Sequence, residues 1–72
     1  MGPHEFASLV DEHGAALILY ARQWCDAPED VVQDAFLKLA ALGTPPREVV
    51  PWLYRVVRTG AAAAARSAAR RR

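Results

Sequence analysis

Arg55, Arg58, Arg66 and Arg70 recur along the C-terminal part of the chain at spacings that place them outward or at the margin of one helix, and Trp52 and Tyr54 stand at its head. Guanidinium groups one or two turns apart can follow a phosphate backbone, and aromatic rings beside them can stack on unpaired bases. That chemistry suits a nucleic-acid strand better than a duplex groove. A second set lies upstream. On a helical wheel Asp30, Gln33, Asp34 and Leu37 gather on one outward side with Lys38 adjacent, an apolar anchor inside a rim of acids and amide that would steer a basic helix.

Other reactive side chains lack partners. His13 falls on an apolar stripe with no serine, cysteine or carboxylate placed to relay a proton, and Cys25 beside Trp24 reads as a small buried apolar residue. Asp30 and Asp34 are one turn apart, but a metal would need further oxygen ligands. Ser8 and Ser67 have no base to activate them. A single cysteine excludes an internal disulfide, and with only His4 and His13 as further soft ligands there is no zinc spacing. The chain is therefore read as not an enzyme, with no catalytic residue, no metal and no cofactor.

Three helices position these groups. Phe6, Leu9, Val10, Leu17, Tyr20, Ala21 and Trp24 share a stripe that predicts a first helix over residues 6–24. Asp26 with Glu29 three residues on forms a capping-box pattern, and Pro28 suits a first helical turn, so a second helix should run to near Gly43. Its inward face is Val32, Ala35, Phe36 and Leu39. Thr44, Pro45 and Pro46 break the chain, residues 47–50 could add a short turn, and Pro51 opens a third helix with Leu53, Val56, Val57, Gly60, Ala61 and Ala64 inward. Thr59 lies at its outer margin. Beyond Gly60 the inward face is almost all alanine and the chain closes on Arg70, Arg71 and Arg72, so the tail should fray. Nothing alternates with period two. The fold class is all-α, a small three-helix bundle.

Charge divides along the same lines. Residues 1–46 hold seven acids against Arg22 and Lys38, a net of −5, whereas residues 47–72 hold seven arginines against Glu48, a net of +6. The overall +1 thus conceals one surface for a basic partner and one for phosphates. At 72 residues the chain reads as a single helical domain that buries about 60% of its unfolded surface. The longest apolar run, residues 15–21, is short of the roughly 20 needed to span a bilayer, and Glu5, Asp11 and Glu12 stand where a signal peptide would be basic and then apolar. A cytoplasmic monomer with no membrane segment is expected.

Two runs, PEDVVQDAFLKL at 28–39 and PWLYRVVR at 51–58, together with LYAR at 19–22, resemble the second conserved region of bacterial RNA polymerase sigma factors of the extracytoplasmic-function (ECF) group. The resemblance covers most of the chain in the family's order. It implies a helical domain in which the first run docks on the clamp helices of the polymerase largest subunit. The last helix and the loop before it would then engage the promoter minus-ten element as the strands separate. Position by position it gives Asp30, Gln33 and Asp34 as polymerase contacts with Leu37 and Lys38 beside them, and Trp52, Tyr54, Arg55 and Arg58 as the start of the DNA-facing helix. The sequence departs from the family at Thr59, where asparagine is usual, and from Gly60 to Ala64, where an aliphatic and then acidic pattern is usual. The loop at 42–51 is also shorter than common. No second DNA-binding domain fits within the chain, which is either an excised domain or a truncated relative acting by another route.

Two other readings use the same residues. A basic helix headed by Trp52 and Tyr54 could lie on anionic lipid, although alanine inserts weakly. Alternatively the arginines could meet an acidic protein, such as an anti-sigma partner.

Overall fold

The computed structural model describes residues 1–70 as three helices: α1, Pro3–Ala21; α2, Pro28–Ala41; and α3, Val49–Arg70. No strand occurs among these residues, and each helix packs on the other two, so the fold is an all-α three-helix bundle. Its core draws Leu17 and Ala21 from α1, Val32, Ala35, Phe36 and Leu39 from α2, and Leu53, Val57 and Ala61 from α3. The α2 and α3 sets recur at three- and four-residue intervals, the period of a helix buried along one stripe. Leu17, Leu53 and Val57 are fully buried, and each contributes about 1.5–3 kcal/mol by leaving water. Phe6 meets Phe36 edge-on, with ring centres 5.9 Å apart and planes at 77°.

Two local features fix how the outer faces are presented. An added Cβ at Gly60 would sit only 3.2 Å from Val31 Cγ1, so the missing side chain lets α3 lie close against α2. Beyond Ala61 α3 outruns its neighbours: Ala64 and Ala65 are half-buried, and residues 66–70 are exposed. This overhang accompanies dimensions of 42 × 22 × 17 Å and a radius of gyration of 12.5 Å. A compact chain of this length would have a radius of about 11 Å.

Several boundaries differ from the sequence reading, each for a local reason. α1 begins at Pro3 rather than near Phe6, because proline suits a first turn. It ends at Ala21 rather than Trp24. Residues 22–24 form a turn in which the Trp24 N–H donates to Ala21 O at 3.0 Å and the Cys25 N–H to the same oxygen at 3.2 Å. Asp26 does not cap α2. Pro28 is the first helical residue, so the N-cap falls on Ala27, and no side chain bonds the first-turn amides. α3 starts at Val49, which absorbs part of the short turn expected at 47–50, and Pro51 sits in its first turn, where its lack of an N–H loses no helical partner. Val10, expected inward, is 38% exposed. Val56 and Ala64 are half-buried rather than central, because α3 meets the other helices along the narrower seam of Leu53, Val57 and Ala61. The stretch beyond Gly60, where the tail was expected to fray, is helical as far as Arg70, in keeping with the high helix propensity of alanine; Arg71 and Arg72, part of the same expectation, lie outside the described residues. Among the described residues no helix is long and apolar enough to cross a membrane.

Candidate functional site

The outward side of α2 carries Asp30, Gln33, Asp34, Leu37 and Lys38, all exposed, because Val32, Ala35, Phe36 and Leu39 commit the opposite side to the core. Leu37 is 60% exposed. It is not an isolated leucine. It edges an apolar groove of about 340 Å³ between α1 and α2, whose walls include Phe6, Val10, Gly14, Ile18 and Phe36 and whose rim includes Glu29 and Gln33. The sequence reading missed this groove because it placed Val10 inside. Lys38 Nζ pairs with Asp34 at 3.1 Å across one helical turn, with both side chains more than half exposed, so the pair adds little stability and partly neutralises that end of the face.

The α3 residues divide into two sets that the sequence did not separate. Trp52, half-buried, lies in a shallow basin of about 600 Å³ with Lys38, Arg55, Thr59 and Gly60, where α3 approaches α2. Lys38 therefore borders both faces. Arg55, Arg66 and Arg70 are exposed along α3. Thr59 Oγ1 donates to Arg55 O at 3.0 Å, and a hydroxyl so engaged offers outward only acceptor lone pairs. It can accept from a base amino group but not donate to a phosphate oxygen.

Tyr54 belongs to the other side of α3. Its ring lies edge-on to Tyr20, centres 5.0 Å apart, and Tyr20 in turn lies edge-on to Trp24 at 4.7 Å. This ladder joins the end of α1 to the head of α3. Arg58 completes it, with Cζ 5.5 Å from the centre of the Trp24 ring. The sequence reading gave Trp24 to the α1 stripe; it lies instead in the turn after α1, against Arg58.

The remaining candidates stay apart. His13 is half-buried, with Nε2 3.7 Å from a carboxylate oxygen of its neighbour Glu12. Cys25 is half-buried and its thiol donates to Ala21 O at 3.5 Å. Among the described residues no group of three or more His, Cys, Asp or Glu is placed to hold a metal ion.

Comparison with known protein families, with curated proteins and with solved structures finds no match.

Proposed function

We propose that this chain is a region-two domain of an ECF-type sigma factor, a non-enzymatic cytoplasmic module that binds RNA polymerase through α2 and a promoter strand through α3. The observation that carries the proposal is the pairing of an apolar groove, edged by Leu37 and rimmed by Glu29 and Gln33 with Asp30 and Asp34 exposed on the same helix, with exposed arginines on a different helix. A basic helical hairpin such as the polymerase clamp would lay apolar side chains into the groove while its cations meet Asp30 and Asp34. On α3, Arg55, Arg58, Arg66 and Arg70 meet phosphates, and Trp52, flanked by Lys38 and Arg55, offers a ring for one unpaired base.

The test of the strand-binding half is a titration of a labelled non-template-strand oligonucleotide and of the matching duplex at several salt concentrations. If Arg55, Arg58 and Arg66 each neutralise one phosphate, affinity for the strand falls with a log–log salt slope of about −2, from roughly −0.7 per contact. Equal affinity for strand and duplex, unchanged by Trp52→Ala, would reduce α3 to a non-specific basic surface.

A further inference from the structure

We infer that Trp24, outside the arginine helix, is a positioning residue for strand binding: its ring holds the Arg58 guanidinium in place for a phosphate. This inference rests on the proposed role of α3. The two residues are 34 positions apart in sequence and meet because the turn after α1 lies beside α3. Arg58 Cζ then lies 5.5 Å from the ring centre, within cation–π range. Trp24 is itself held, since Tyr20 packs edge-on against it and against Tyr54. The ring therefore has a fixed attitude.

Arginine suits this arrangement because its charge can rest on an aromatic face while its N–H donors, which lie in the guanidinium plane, remain free for an oxyanion. A free arginine loses rotamer entropy when it engages a phosphate; one already resting on a ring loses less. Among the described residues Arg58 is the arginine whose guanidinium lies over an aromatic ring; Arg55 shares a basin with Trp52 but is not stacked on it. Arg58 is thus the arginine whose contribution should depend on a second residue.

The test is a double-mutant cycle in the whole chain, with a fluorescein-labelled single-stranded oligonucleotide as probe and the salt slope read beside the affinity. Arg58→Ala should weaken binding and reduce the slope magnitude by about 0.7, one phosphate contact. Trp24→Leu should weaken binding about two- to fivefold, the equivalent of an exposed cation–π contact of 0.5–1 kcal/mol. It should add nothing in the Arg58→Ala background, and Trp24→Phe should restore most of the loss. Circular dichroism melts on each variant show whether the fold persists, and Trp24→Met, equally without a ring, carries the comparison if Trp24→Leu does not fold. Additive losses from Trp24→Leu and Arg58→Ala, or a Trp24→Phe variant as weak as Trp24→Leu, would overturn the positioning role while leaving strand binding intact. An Arg58→Ala variant with wild-type affinity and slope would overturn it by removing the contact to be positioned. Strand binding by the other arginines would then be judged from the strand and duplex titration.

Discussion

Gly60 offers a quantitative check on how closely α2 and α3 are held. Replacing glycine by alanine inside a helix gains about 1 kcal/mol of intrinsic propensity. Here the new Cβ would lie 3.2 Å from Val31 Cγ1, inside the comfortable carbon contact of about 3.5–4.0 Å. Valine in a helix keeps essentially one rotamer, so it cannot turn aside and the helices must part by a few tenths of an ångström. Overpacking of this kind costs about 1–3 kcal/mol in a tight core, and Val31 is only half-buried, so the lower end applies. The two terms nearly cancel, and Gly60→Ala should leave stability within about 0.5 kcal/mol of wild type. In a Val31→Ala background the clash is gone, and the same substitution should stabilise by about 1 kcal/mol, a rise of roughly 4–8 °C in Tm. Urea and thermal unfolding followed by circular dichroism on the four proteins closes the cycle. A full 1 kcal/mol gain from Gly60→Ala with Val31 still present would refute the close approach of α2 and α3.

Other outcomes follow from the same packing. Phe36→Ala removes a core ring and its edge-on contact with Phe6, and should cost about 3–5 kcal/mol, most of the stability of a bundle this small, as measured by urea unfolding. Trp52→Ala should weaken single-strand binding by about 1–3 kcal/mol with little change in Tm, whereas Tyr54→Ala should chiefly lower Tm, because its ring is occupied by Tyr20. The reverse pattern in paired titrations and melts would exchange their roles. Cys25, half-buried with its thiol directed to Ala21 O, should react slowly with a thiol reagent under native conditions and quickly in urea.

The fold was legible in the sequence because three apolar stripes of helical period leave few alternatives, and the α2 core of Val32, Ala35, Phe36 and Leu39 lies where the wheel puts it. Helix ends were less legible. A capping-box pattern at Asp26 and Glu29 was overridden by Pro28, which moved the N-cap to Ala27. The placing of Trp24 against Arg58 was not legible either, because it is a long-range contact that no local pattern announces. The outward residues of α2 could be read individually, but not the groove between α1 and α2, since a groove depends on how two helices cross. In the same way Trp52 and Tyr54 look equivalent in sequence and separate only once Tyr20 occupies one of them.

The most direct measurement of the central claim is binding of this chain to the isolated clamp-helix hairpin of the RNA polymerase largest subunit, with wild type, Asp34→Arg and Leu37→Ala compared by calorimetry. Both positions are exposed, so the variants should melt within a few degrees of wild type; Asp34→Arg also exchanges a weak surface pair with Lys38 for a like-charge neighbour. We expect wild type to bind, Asp34→Arg to abolish binding, and Leu37→Ala to weaken it at least tenfold, about 1.4 kcal/mol for an anchoring leucine. A wild-type chain that ignores the hairpin, or folded variants that bind it as well as wild type, would contradict the account.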